Sequence, residues 1–196
     1  MEKIVAATKN KGKIKEIDAI TSQLGFSVIP RDEAGVPEEF DTDETGTTFE
    51  ENSELKAVDI MKLTGMTAVA DDSGLEVDAL GGEPGVYSAR YAGEEHNDQA
   101  NRTLVLSKLE GVPFEKRTAR FVCVVTLARP DGSKVVARGT VEGHIIEEER
   151  GTNGFGYDPI FVPEGYDRTF AEMTAEEKNG ISHRANALKK LEEMLG

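Results

Sequence analysis

A mixed α/β fold, with a mixed β-sheet flanked by helices, is what this sequence predicts. Three observations lead there. The first residues run strand, loop, helix, strand, the order of a βαβ-like opening. An apolar stretch from Thr118 to Arg129 meets the turn Pro130-Asp131-Gly132-Ser133 and returns from Lys134 to Ile145, which reads as a long antiparallel hairpin. Helical periodicities stand between and after these strands, and no repeat, low-complexity segment or long linker interrupts them, so residues 1–196 are read as one domain, either one large body or two small lobes.

In order, Lys3-Ile4-Val5-Ala6-Ala7-Thr8 is a short buried strand, broken by Asn10 and Gly12. Ile14, Ile17, Ile20 and Leu24 recur on one face, so a helix runs to about Leu24. Phe26-Ser27-Val28-Ile29 resumes as a strand. Residues 31–54 carry ten acidic side chains against one basic side chain, Arg31. Within them Thr48-Phe49-Glu50-Glu51 has capping-box spacing and opens a helix reaching roughly Leu63. Thr67-Ala68-Val69-Ala70 is an apolar β run that ends in Asp71-Asp72-Ser73-Gly74, so the two carboxylates are expected at the exposed end of a strand. Leu75 to Leu80 alternates like a further strand, residues 81–85 form a long turn, and a helix spans about Asp98 to Leu109 before Gly111 and Pro113. A glycine-rich loop at 151–156 precedes Tyr157-Asp158-Pro159-Ile160-Phe161, and the last helix begins near Ser182 with Ala185, Leu188, Leu191 and Leu195 on one face.

Composition narrows the function. With a net charge of −14 and a pI near 4.7, general binding of nucleic acid by a basic surface is not expected. An anionic ligand has to be held locally, by clustered lysines, backbone N–H groups or a metal ion. The one cysteine, Cys123, lies in Phe121-Val122-Cys123-Val124-Val125 and reads as a buried core thiol, so no internal disulfide forms. No apolar run approaches the roughly 20 residues that span a bilayer, and no signal-peptide pattern opens the chain. A soluble, cytoplasmic protein without membrane partners is expected.

The chemistry-bearing segments are few. Thr8-Lys9-Asn10-Lys11-Gly12-Lys13 lies between a strand and a helix N-terminus, where N–H groups and the positive dipole end face an anion; it reads as a phosphate loop or as an exposed basic turn. Neither a Walker string nor a dinucleotide fingerprint is present. Asp71-Asp72 offers the oxygen ligands that hard ions such as Mg²⁺ prefer. The acidic stretch Asp41-Thr42-Asp43-Glu44-Thr45-Gly46 either meets Asp72 across a metal or is a solvated loop. Glu51, Asn52 and Lys56 on the next helix either face the same site or are surface groups. Gly154-Phe155-Gly156-Tyr157-Asp158-Pro159 pairs glycines that allow close approach with rings that stack on a purine or fill the core. Lys178, Ser182, His183 and Arg184 stand around the start of the last helix; Ser182 is read as its N-cap or as a ligand contact. His96 and His144 lack metal-ligand spacing, and no Ser–His–Asp or Cys–His arrangement arises.

These segments together resemble the inosine triphosphate pyrophosphatase family. The resemblance rests on Ala7-Thr8-Lys9-Asn10-Lys11-Gly12-Lys13 with Glu16, Thr48-Phe49-Glu50-Glu51-Asn52 with Lys56-Ala57, Ala70-Asp71-Asp72-Ser73-Gly74-Leu75, Leu80 to Tyr91, Gly154 to Pro159, and Lys178 with Ile181-Ser182-His183-Arg184. They occur in one order over nearly the whole chain. Two departures are visible: members often carry Gly where Lys9 stands and Ala where Ser53 stands.

The resemblance implies an elongated α/β fold with a central twisted mixed sheet and two lobes around an active-site cleft, a homodimer, and Mg²⁺-dependent hydrolysis of the non-standard purine triphosphates ITP, dITP and XTP to a monophosphate and pyrophosphate. It assigns Asp72 as general base and metal ligand, with Glu44 and then Asp43 and Asp71 as further metal carboxylates. Thr8, Lys9, Asn10, Lys11, Gly12 and Lys13 would hold phosphates, and Ser73 would contact substrate. Phe155, with Gly156 and Tyr157 beside it, would stack on the base, while Asp158, Lys178, His183 and Arg184 read its edge. A pyrophosphatase for other triphosphates and a nucleotide-binding sensor that does not turn over are the alternatives.

Overall fold

Parallel pairing at the amino end of the chain sets the sheet. The structure, a computed structural model, describes residues 1–196. Strand β1 (Glu2–Ala6) lies in register with β2 (Phe26–Pro30), Glu2 opposite Phe26 and Ala6 opposite Pro30, and also pairs in parallel with β3 (Ala68–Val77). The crossover between β1 and β2 is helix α1 (Lys11–Thr21), followed by a turn of 3-10 helix that Gly25 closes with φ of 84°. A parallel pair needs such a crossover, because a tight turn cannot return the chain in the same direction. Helix α2 (Phe49–Thr64) joins β2 to β3; its start is the expected capping box, with the Thr48 hydroxyl accepting from the Glu51 amide, and Gly65 ends it with φ of 66°.

The rest of the sheet is built by β4 (Thr118–Ala128), β5 (Lys134–Ile145) and β6 (Phe161–Pro163), giving the order β2-β1-β3-β4-β5-β6. The turn between β4 and β5 closes with the Arg129 amide on the Ser133 carbonyl at 2.9 Å, and β5 and β6 are antiparallel. The sheet is therefore mixed, as expected. Helices α3 (Asp98–Lys108), α4 (Ala175–Ile181) and α5 (His183–Leu195) complete the chain.

One local expectation needs correction. Gly74 does not end the β3 strand, which runs unbroken to Val77, so Asp71 and Asp72 lie inside the strand rather than at its tip; Leu75 and Val77, both fully buried, hold the continuation. The last helix does begin beside Ser182, at His183; the short helix α4 before it was not anticipated, and Ser182 is extended between the two (φ −68°, ψ 159°).

The chain divides into two compact units, each made of separated segments. Unit 1 is Met1–Asp72, Cys123–Gly139 and Ala185–Gly196; unit 2 is Ser73–Val122 and Thr140–Arg184. Unit 1 packs Ile4, Ile17, Val69, Cys123, Val125, Leu127, Leu188 and Leu191, all essentially out of solvent, so Cys123 is the core thiol expected. Unit 2 packs Leu75, Val105, Leu109, Phe121, Ile160, Phe161, Phe170 and Met173, with Phe121 and Phe161 ring centroids 4.6 Å apart. No helix is long and apolar enough to cross a membrane.

Candidate active site

Unit 1 concentrates charge around the middle of β3. Asp71 and Asp72 are both buried. Lys13, in the first turn of α1, places Nζ 2.9 Å from Asp71 Oδ2. Lys56, on α2, places Nζ 3.0 Å from Asp72 Oδ1 and 3.5 Å from Glu44 Oε1. Lys56 is thus the link between the acidic loop and β3, and it is not a surface group. Asn52, one turn earlier on α2, is wholly buried, while Glu51 is exposed and holds the Thr47 amide.

Burial pushes the Asp72 carboxyl up to about 6; Lys56 pulls it down, and the negative charges of Glu44 and Asp71 push it up again. For Lys56, burial works against the ammonium, but Asp72, Asp71 and Glu44 outweigh it and raise the net affinity for the proton. A carboxylate with a pKa near neutrality next to a fixed cation is suited to general-base work. Asp72 Oδ2 is also buried with no hydrogen-bond partner. An orphaned carboxylate oxygen in such a place fits a cation.

The expected set of metal carboxylates is reduced. No three His, Cys, Asp or Glu side chains converge. Glu44 and Asp72 are brought together through Lys56, whereas Asp43 offers its carbonyl to the Thr45 amide. Mg²⁺ is commonly held by one or two carboxylates with the remaining sites taken by water and phosphate oxygens, so a pair suffices for it.

The basic loop also differs from expectation. Asn10 is the N-cap of α1, and its Oδ1 accepts from the Gly12 amide at 2.9 Å and the Lys13 amide at 3.1 Å; the Asn10 amide donates to Thr8 Oγ1 at 3.1 Å. The Asn10, Gly12 and Lys13 amides, among those an anion was expected to meet, are therefore already bonded. Lys9 and Lys11 remain exposed, whereas Lys13 is committed to Asp71.

Unit 2 assembles the second group of residues. Asp158 is buried and accepts from Lys178 Nζ at 2.6 Å and from the Phe155 amide at 3.1 Å. Burial raises its carboxyl above the ordinary value, against the opposing pull of Lys178, the Phe155 amide and Arg184. A Cβ on Gly154, which has φ of 71°, would lie 2.1 Å from Asp158 Oδ2, so only glycine admits this carboxylate. Phe155 is 58% exposed, with Lys178 Nζ 4.8 Å from its ring centroid. Tyr157, in contrast, is buried in the unit 2 core and donates its hydroxyl to the Ser88 carbonyl at 2.6 Å; burial raises its pKa. His183 and Arg184 are buried at the start of α5, and the His183 ring stacks on Phe121 at 4.9 Å. Ser73, half-buried, is the first residue of unit 2 along the chain.

Two residues that sequence reasoning passed over hold this loop. Arg102 Nη1 donates to the Gly156 carbonyl at 2.7 Å, and Asp98 Oδ2 accepts from the Gly156 amide at 2.9 Å, both from α3. Nothing in their local sequence marks them, since their role depends on the approach of two distant segments.

The Ham1 family model matches residues 4–194. A dITP/XTP pyrophosphatase of Exiguobacterium sibiricum is 53% identical over 196 residues, covering 98% of this chain and 96% of its own. One from Bacillus subtilis is 51% identical over 195 residues, covering 100% and 98%. Among solved structures, the Staphylococcus aureus Ham1 protein is 46% identical with a TM-score of 0.90, covering 99% of this chain and 98% of its own.

Proposed function

Because the chain belongs to the Ham1 family, we propose that it hydrolyses the non-standard purine nucleoside triphosphates dITP, XTP and ITP to the monophosphate and pyrophosphate, with Mg²⁺. The observation that carries the reading is the buried Asp72 carboxylate, with its Oδ2 unpartnered and its other oxygen on Lys56, in a chain about half identical to proteins named for this activity.

Glu44 and Asp72 would hold the metal ion, which supplies positive charge against the triphosphate and lowers the pKa of bound water. Asp72 accepts the proton of the attacking water. Lys56 keeps Asp72 in place and offsets its charge. The exposed Lys9 and Lys11 bring cations to the phosphates, where positive charge favours departing pyrophosphate.

Unit 2 residues would serve the base. The exposed Phe155 ring offers a stacking face, and Lys178, His183 and Arg184 are donors. Donors suit the 6-oxo group of hypoxanthine and xanthine and oppose the 6-amino group of adenine, so ATP loses a contact and gains a mismatch, whereas GTP, which shares the 6-oxo group, has to be rejected at its 2-amino group by shape or by an unmatched donor. The protein works as a homodimer in the cytoplasm under this reading, which cleanses the nucleotide pool.

The test is pyrophosphate release from ITP, dITP, XTP, GTP and ATP at equal concentration, with Mg²⁺ and then with EDTA. Release from the first three alone, abolished by EDTA, is the expected result. Equal use of GTP and ATP overturns the specificity, and binding without release from any of them points to a sensor.

A further inference from the structure

Helix α2 presents Asn52 one turn before Lys56, so both side chains leave the same face. Asn52 is wholly buried, a place where an apolar side chain packs without a polar group to satisfy. Its Oδ1 accepts from the Gly46 amide at 2.8 Å, while its Nδ2 is buried with no partner. That half-satisfied amide is hard to explain as packing. Nor does the helix need it as a cap, since Thr48 and Glu51 already form a complete capping box.

What the Asn52 bond does fasten is the acidic loop. The Thr45 amide turns back to the Asp43 carbonyl at 2.9 Å. Gly46 is tied to Asn52, and Glu51 takes the Thr47 amide at 2.6 Å and the Thr48 amide at 3.3 Å. Glu44 is the central residue of that turn, next to these ties, and its carboxylate reaches Lys56 beside Asp72. Gly46 is needed for room: a Cβ there would lie 2.5 Å from Asn52 Oδ1 and 2.7 Å from Glu51 Cβ.

We propose that Asn52 is a positioning residue whose bond to Gly46 sets Glu44 beside Asp72 for a shared divalent cation. The proposal rests on the metal-assisted reading above, and it makes metal affinity depend on two residues that are not themselves ligands. The latch can be opened from either side, by Asn52→Ala, which removes the acceptor, or by Gly46→Ala, which crowds it.

The experiment measures Mn²⁺ binding to the intact protein by electron paramagnetic resonance, without nucleotide, together with unfolding temperature. Losing one well-placed hydrogen bond corresponds to about tenfold in affinity. Both single variants are expected to bind Mn²⁺ about tenfold more weakly, and the double variant no more weakly than the worse single, because both changes open the same bond. The Mg²⁺ concentration for half-maximal turnover rises in parallel, while kcat at saturating Mg²⁺ falls less. Parental Mn²⁺ affinity in both single variants, with only the unfolding temperature lowered, overturns the proposal, as does absence of Mn²⁺ binding by the parent. If the parent binds Mn²⁺ yet releases no pyrophosphate from any nucleotide, the functional reading fails while the Mn²⁺ curves still decide this one.

Discussion

Replacing Asp72 by Asn should remove turnover and stabilise the metal-free protein. Its carboxyl is pushed from 3.8 in the unfolded chain to about 6 in the fold, chiefly by burial. The fold therefore favours the protonated acid, and stability falls as pH rises from about 4 to about 6, then stays level. The gap of roughly two units corresponds to about 3 kcal/mol at neutral pH. Asn is a neutral isostere that keeps an oxygen for Lys56, so it escapes this cost. The nitrogen it places where Oδ2 was unpartnered takes back about 1 kcal/mol. A net gain of about 2 kcal/mol is expected, or about 4–8 °C for a chain of this size. The chain has no tryptophan, so circular dichroism or calorimetry is the readout. In EDTA the variant should unfold at higher temperature than the parent at pH 7.5, and slightly below it near pH 4, where only the unpartnered nitrogen counts. Added Mg²⁺ should stabilise the parent and narrow the difference. A variant that unfolds no later than the parent at pH 7.5, or whose advantage persists at pH 4, refutes the reasoning.

Three further outcomes follow from the geometry. Phe155→Ala removes an exposed ring, so KM for ITP should rise by about 5- to 150-fold, from about 1–3 kcal/mol of stacking, while the unfolding temperature stays put; an unchanged KM removes Phe155 from the base site. Gly154→Ala drives a methyl group into Asp158 Oδ2, so kcat/KM should fall at least about tenfold through the Lys178–Asp158–Phe155 contacts; parental kinetics would show that this carboxylate has room to move. Ser53 donates to Thr126 Oγ1 at 2.8 Å in the core of unit 1, so a denaturation cycle of Ser53→Ala and Thr126→Val should give a coupling of about 0.5–1.5 kcal/mol, and additive losses would mean that the hydroxyls do not act as a pair.

The sequence is most readable where periodicity and capping agree. The opening β1, α1 and β2 and the β4–β5 hairpin follow from apolar patterning, and the Thr48–Glu51 box marks the start of α2. Gly74 misleads because a glycine inside a strand looks like its end, while burial of Leu75 and Val77 carries the strand past it. Helix α4 has no apolar stripe; its signal is Thr174 with Glu177, another capping box. In the site, Asp71-Asp72 is legible as chemistry, but its embedding by Lys13 and Lys56 depends on helices that arrive from elsewhere. Asn10 carries a signal of its own, since Asn before a helix is a favoured N-cap, and that role uses the Gly12 and Lys13 amides reserved for an anion on sequence grounds. Ser53 proves to be half of a buried hydroxyl pair, which its departure from the family pattern does not reveal by itself.

The order in which synthesis releases the chain gives the division of unit 1 a further meaning. Both segments of unit 2 have been synthesised once Arg184 is made, whereas unit 1 still lacks Ala185–Gly196, whose Ala187, Leu188 and Leu191 fill its core beside Ile4 and Cys123. The part that carries Lys13, Glu44, Lys56 and Asp72 begins first and finishes last. A chain made only to Arg184 therefore holds these charged residues on an unfinished core until α5 docks, and removing α5 should disturb them first, although none of them lies near it.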